Sequence, residues 1–288
     1  MPSGVVLIDK PTGMTSHDVV AQLRKKLSEK KIGHAGTLDP FASGLLVMGI
    51  GSGTKLLHHL FGLDKQYLAT IRLGQATTTD DLEGDVVSEA SAKSVSMEQI
   101  KEEIKNLTGS IQQVPSSVSA IKIQGKRAYD LVRAGEEVVI PARSVEVYHF
   151  QPTSELRMVG DFVEFDVTVD CSSGTYIRAL ARDLGTALGV GGHLRALRRT
   201  RIGEFSIADA TSIESVGDFK PLLDVARKLF PVVELSSSQA QDIVHGKRLT
   251  LENDGNLAAS FEGKLLAILE PVAKSYRSIT VFPEAFVG

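Results

Sequence analysis

The chain has one cysteine, Cys171, in 288 residues, which excludes an internal disulfide framework and a paired-cysteine zinc knuckle. Its seven histidines include no HExxH or other metal-ligand spacing, so a site without metal is expected. No stretch approaches the roughly 18 consecutive apolar residues of a membrane span. The early run Val5 to Ile8 lacks the basic flank and small-residue cleavage site of a signal peptide, so a cytoplasmic location is expected. Neither sign of charge dominates, and a formal net charge of -3 speaks against a histone-like binder. What is present, 42% hydrophobic and 23% charged residues, is ordinary for a folded chain. The length corresponds to about two domains.

The charges are unevenly placed. From Tyr176 to Gly203 six arginines (Arg178, Arg182, Arg195, Arg198, Arg199, Arg201) face one acid, Asp183, whereas from Asp64 to Gly109 nine acids face five bases. Six cations in so short a segment predict a polyanion-binding surface, with the acidic stretch Asp80 to Asp85 an exposed connection.

Local patterns place the elements. Residues 4 to 9 read as a short buried strand ended by Lys10-Pro11-Thr12-Gly13. Thr15 and Asp18 form a capping box for a helix carrying Val19, Val20, Leu23 and Leu27, and Ser96 with Gln99 opens another that runs to about Leu107. Ile32 to Ser43 has no period and reads as a loop before the strand Leu45 to Ile50. Tyr67 to Leu73 alternates, as does the clearest strand, Val163 to Cys171. Thr175 is expected to cap a helix with the apolar stripe Ile177, Leu180, Ala181, Leu184 and Leu188, with Arg178 and Arg182 one turn apart on another face. Residues 110 to 144 read as a long loop or inserted arm with a helical piece from Arg127 to Arg133. A domain boundary is placed near 225 to 231, followed by a helix from Ser236 to Gly246 and short strands at Leu257 to Phe261, Leu265 to Leu269 and Ser278 to Phe282, a compact β barrel.

Three segments can carry chemistry. Asp39, in His34-Ala35-Gly36-Thr37-Leu38-Asp39-Pro40, would by itself read as a turn starter, but a loop between a basic helix and a buried strand can hold a carboxylate from both ends. Gly49-Ile50-Gly51-Ser52-Gly53-Thr54-Lys55 fails both phosphate-loop spacings and reads as a strand-to-helix turn, with Thr54 capping and Lys55 reaching a phosphate or a surface acid. In Ser173-Gly174-Thr175-Tyr176-Ile177-Arg178 a tyrosine at a helix start can stack on a base, and the arginine can pair with phosphate or a buried carboxylate. Read alone, Tyr67 is a core residue of its strand, and His58, His59 and His193 are structural or surface groups.

In order along nearly the whole chain, these segments resemble the bacterial TruB family of tRNA pseudouridine-55 synthases. The resemblance rests on Lys10-Pro11-Thr12-Gly13 with Thr15-Ser16, the loop His34 to Pro40, Lys65-Gln66-Tyr67 and Ser119-Ala120-Ile121-Lys122 with Gly125 to Tyr129. Ser173 to Arg178 and His193 to Thr200 complete it. It implies an α+β pseudouridine synthase fold over residues 1–228, with a central mixed, largely antiparallel sheet and an RNA-gripping thumb-like insertion over about 110–144. Residues 231–288 would form a small PUA-like RNA-binding β barrel, removable near residue 230 without loss of the catalytic fold. Position by position it makes Asp39 the catalytic residue, Tyr67 the tyrosine that stacks on the target base, and Arg178 the partner of the aspartate. It places His34, Tyr176 and Leu197 against substrate and Lys10 in support. The implied reaction isomerises uridine 55 in the T loop of tRNA with no cofactor. The implied partner is the tRNA T arm, bound by a monomer without a membrane or an obligatory protein partner. A guide-RNA-dependent relative and a tRNA-binding folding helper are the alternatives; a nucleotide hydrolase is disfavoured by the failed glycine spacings.

Overall fold

Alternation builds the central sheet. In a computed structural model of the chain, which describes residues 3–116, 122–123, 126–127 and 140–286, Phe162–Cys171 is a strand that buries Val163, Phe165, Val167, Val169 and Cys171 completely. Its neighbour Lys65–Leu73 buries Tyr67, Ala69, Ile71 and Leu73 on the same side, with Ala69 opposite Val167 and Tyr67 opposite Val169. They lie within a ten-stranded sheet whose main path is Gly4–Lys10, Ser43–Ile50, Gly192–Ile202, Lys65–Leu73, Phe162–Cys171, Arg143–Pro152 and Gly109–Gln113. Every neighbouring pair on that path is antiparallel except Gly192–Ile202 against Ser43–Ile50, where Arg198 and Arg199 run parallel to Ser43 and Gly44. The expected α+β class with a mixed, largely antiparallel sheet is therefore the observed one.

Helices cover the sheet through the faces their spacing predicts. Ser16–Leu27 starts at the Thr15–Asp18 capping box and packs Val19, Val20 and Leu23 on Val6, Ile8, Leu46 and Met48. At roughly 1.5–3 kcal/mol for each buried aliphatic side chain, that contact stabilises a helix that would be marginal in water. Met97–Asn106 starts at the Ser96–Gln99 box, and its Ile100 and Ile104 join Leu180, Ala181 and Leu184 of Ile177–Ala187 on the buried face of the two central strands. Among the described residues no helix is long and apolar enough to cross a membrane.

Several local expectations give way to tertiary pairing. Ile32–Ala35 is a strand and not loop, because the edge of Ser43–Ile50 supplies its backbone partners, Ile32 against Ile50 through Ala35 against Val47. Four of the six clustered arginines, Arg195, Arg198, Arg199 and Arg201, lie on the strand Gly192–Ile202, irregular at Leu194/Ala196 and Arg199/Arg201, which breaks the alternation that reveals a strand in sequence. The glycine-rich turn is the 3-10 helix Gly51–Leu56 leading into Leu57–Phe61. Its glycine has a packing reason: a Cβ on Gly53 would lie 2.0 Å from the Gly4 carbonyl oxygen. Thr54 is no helix cap, since its hydroxyl donates back to Gly51 O at 2.8 Å. Of the expected arm, the roots Gly109–Gln113 and Arg143–Pro152 pair antiparallel, and Lys122–Ile123 pairs with Lys126–Arg127. Arg127 is thus in a strand, and the rest of the helical piece expected to Arg133 lies outside the described residues, as do Ser119 to Ile121, Gly125, Ala128 and Tyr129.

The C-terminal sheet runs Val232–Glu234, Leu257–Phe261, Lys264–Val272, Ser275–Val281, with the first pair parallel and the others antiparallel. Its helix Ser237–Val244 has the Ser236–Gln239 box and a positive-φ Gly246 just beyond its end, as read from sequence. This unit shares a core with the first: Ala258, Leu265, Ile268 and Phe282 cluster with Leu56, Leu60, Phe205, Leu223 and Val225. Lys55, expected at a phosphate or a surface acid, donates instead to Val281 O at 2.7 Å and lies 5.2 Å from the centre of the Phe282 ring. Deleting residues 231–288 is therefore expected to destabilise what remains by several kcal/mol, lowering its melting temperature by on the order of 10 °C. Calorimetry of the truncated and full chains checks this, and equal melting temperatures would show that the shared cluster contributes little.

Candidate active site

The loop from Gly36 to Ala42 is tethered at many points. Leu38, Phe41 and Ala42 are buried in the main core. Leu38 N donates to Ser16 Oγ at 2.9 Å, and Gly13 N donates to Pro40 O at 2.8 Å. Behind the loop, the fully buried Lys10 ammonium donates to Met14 O at 2.6 Å, Pro11 O at 2.9 Å and Pro40 O at 3.4 Å. Burial in this carbonyl cage brings the Lys10 pKa down to about 8. With Leu38 and Phe41 turned into the core, Asp39 faces a cavity of about 280 Å³.

Asp39, Tyr67, Tyr176, Arg178 and Leu197 all line this one cavity, together with Phe61, Lys65 and Arg199. Arg178 Nε lies 3.1 Å from Asp39 Oδ2, and its Nη1 lies 3.3 Å from Asp81 Oδ2 and donates to Thr79 O at 2.8 Å. The arginine is thus held between two carboxylates. The Asp39 pKa is raised, because crowding by the protein outweighs the pull of Arg178, and Asp81 adds to the rise. Burial likewise raises the Tyr67 phenol. The helix bearing Arg178 begins at Tyr176, not at a Thr175 cap: Tyr176 N donates to Gln113 Oε1 at 2.8 Å, and Gln113 Nε2 donates to Tyr176 O at 3.0 Å. Two expected site residues lie outside the cavity wall. Lys10 sits behind the loop, and His34 lies edge-on to His17 with ring centres 5.8 Å apart.

The fold divides the expected arginine surface, burying Arg178 and Arg199 and leaving the side chains of Arg195, Arg198 and Arg201 36–39% exposed. Arg178 and Arg199 are 5% and 1% exposed. Arg198 grips Asp9 with two hydrogen bonds of 3.0 and 2.7 Å, Arg201 lies 2.6 Å from Asp170, and Arg195 lies 3.7 Å from Glu164. Arg182 pairs with Asp183 and with Asp80. Nor are Asp80 and Asp81 an exposed connection, being 8% and 3% exposed. The two oppositely charged segments meet each other. Asp81 and Lys65 are therefore site residues that sequence reasoning missed; Lys65 donates to Phe61 O at 2.8 Å and Leu63 O at 2.5 Å, and burial lowers its pKa to about 8. For Asp81 the available signal was the complementarity of the acidic and basic runs, which sequence reading took as two separate surfaces.

With the geometry in place, comparison with known proteins identifies the lineage. The model of the TruB family pseudouridylate synthase N-terminal domain matches residues 24–177. The chain belongs to the TruB family. The tRNA pseudouridylate synthase B C-terminal domain matches residues 178–228, and the tRNA pseudouridine synthase II C-terminal model matches residues 230–283, which include the small second sheet. The chain is 50% identical to the tRNA pseudouridine synthase B of Leifsonia xyli over 98% of its length and 97% of the relative's. It is 52% identical to that of Corynebacterium efficiens over 97% and 95%. Among solved structures it is similar to a Cbf5-Nop10-Gar1 complex, at 27% identity and a TM-score of 0.67 over 97% of this chain and 83% of the other. This TruB family member is an enzyme, a pseudouridine synthase.

Proposed function

We propose that the enzyme isomerises uridine 55 in the T loop of tRNA, with Asp39 as the reacting carboxylate and without a cofactor. The observation that carries this reading is Asp39 on a tethered loop, paired with Arg178 at 3.1 Å, in a cavity walled by Tyr67, Tyr176 and Leu197. The relatives of about 50% identity, named tRNA pseudouridine synthase B, support tRNA as the substrate.

The chemistry calls for few parts. The N1–C1′ bond of uridine must break, the uracil must turn in place, and C5 must bond to C1′ as its proton leaves, with no change of oxidation state and no phosphate energy. A carboxylate can attack the sugar carbon, assist loss of the C2′ proton or add to the base. Arg178 keeps Asp39 ionised and aimed against the burial that favours its neutral form. Unstacking a base from a folded RNA loop costs a few kcal/mol, and stacking on Tyr67 offsets part of that. Leu197 and Tyr176 bound the base, His34 contacts the RNA, and Lys10 holds Pro40 next to the reacting residue. The arm between Gly109–Gln113 and Arg143–Pro152 and the C-terminal sheet would grip the T arm through phosphates and shape.

Incubating the protein with unmodified T-arm RNA, with nothing else added, and mapping modified uridines tests the reading. Conversion at position 55 alone is expected. No conversion until a guide RNA or a protein partner is supplied would favour the guide-dependent alternative, which the likeness to the Cbf5-Nop10-Gar1 complex keeps in view.

A further inference from the structure

Arg199 stands apart from the other arginines of its segment. It is 1% exposed, and its guanidinium meets three backbone carbonyls: Nε donates to Leu45 O at 2.8 Å, Nη2 to Gly36 O at 3.0 Å and Nη1 to Thr37 O at 3.4 Å. Arg178, Arg182, Arg195, Arg198 and Arg201 each have a carboxylate partner. Among the described residues Arg199 has none within ion-pair distance.

Those three carbonyls belong to the two ends of the loop that carries Asp39. Gly36 and Thr37 open it, and Leu45 lies just past its close. The backbone of Arg199 holds the same closing end, pairing parallel with Gly44 so tightly that a Cβ on Gly44 would lie 2.3 Å from Arg199 O. Across the sheet, Arg199 is the register partner of Tyr67, and the two residues line the same cavity. One planar, multidonor side chain thus joins the start of the loop to its end, while the backbone of the same residue is in register with Tyr67 in the cavity wall.

We infer that Arg199 is a positioning residue of the reaction, fixing the Asp39 loop and Tyr67 relative to each other, and is no part of an RNA-binding surface. The inference rests on the reading of Asp39 as the reacting carboxylate. Misplacing a reacting group by about 1 Å can cost about 10²-fold in rate.

The test compares the full-length chain with Arg199→Gln and Arg199→Lys, using unmodified T-arm RNA, single-turnover conversion at saturating enzyme, and RNA affinity measured across a salt series. Arg199→Gln is expected to lower the saturating rate by about 10- to 100-fold, with affinity and its salt slope unchanged. Arg199→Lys should recover part of that rate, since the neighbouring Lys10 shows that an ammonium is accommodated on three carbonyls here. Native rates in both variants would overturn the inference, as would lost affinity and a shallower salt slope at an intact saturating rate. Where Arg199→Gln does not fold, the same split between rate and affinity in Arg199→Lys decides. Asp39→Asn run alongside separates the two readings: an active Asp39→Asn overturns the functional proposal, whereas an inactive one beside native Arg199 variants overturns only this one.

Discussion

Asp39→Asn is expected to lower single-turnover pseudouridine formation by at least about 10³-fold, in the range seen when a reacting nucleophile is removed from other enzymes. RNA affinity should stay nearly native, because it comes from phosphate and shape contacts spread well beyond this carboxylate. Tritium release from C5-labelled uridine reads the chemistry, and filter retention reads the binding. Turnover near the native rate would remove Asp39 from the mechanism. The fold should not suffer: burial is the largest influence on Asp39 and raises its pKa, so the ionised carboxylate carries a cost at neutral pH, a small one because its side chain is 37% exposed to water. Asparagine removes that cost, and Arg178 keeps Asp81 and Thr79 O. The variant should therefore be as stable as the native chain, or more so, at pH 7. This difference should close as pH falls through the raised folded pKa towards the ordinary carboxylate value of 3.8, where both side chains are neutral. Urea melts at neutral and acid pH measure it.

Arg178→Met should have the largest effect on stability. Its side chain is 6% exposed, that of Asp81 4%, and removing the cation leaves both Asp81 and Asp39 without the charge between them. Breaking such a buried arrangement from one side typically costs about 3–5 kcal/mol. Activity should fall by about 10²-fold or more, since Asp39 loses both its aim and the cation that favours its charged form. The stability deficit should shrink as pH falls, because protonating Asp39, whose pKa is already raised, relieves part of the same repulsion. Denaturant midpoints at neutral and mildly acid pH follow this. A variant with native midpoint and native turnover would mean that water, not Arg178, balances these acids.

The parts of the fold set by local physics were readable in advance. The three capping boxes at Thr15, Ser96 and Ser236 open helices where the spacing placed them, because a cap joins residues three apart. The strand Phe162–Cys171 shows its two-residue period because one face is buried and the other is polar. Ile32–Ala35 was not readable, since its only reason to be extended is a neighbouring strand edge.

The same division runs through the site. Sequence by itself placed Asp39 on a loop, Tyr67 on a strand and Arg178 at a helix start, because spacing is a local property, and the family resemblance then marked the three for one candidate site. It could not determine the fate of the arginines, which looked alike as six cations in one segment. Whether an arginine faces phosphate, a carboxylate or a carbonyl depends on what packing brings opposite it: Asp81 for Arg178, Asp9 for Arg198, and the ends of the Asp39 loop for Arg199. Those partners lie far away in the chain, and only the packing of strands, helix and loops together joins them. The tertiary structure thus decided that most of this charge serves the site and the sheet, because a buried cation must find its partner wherever the fold supplies one.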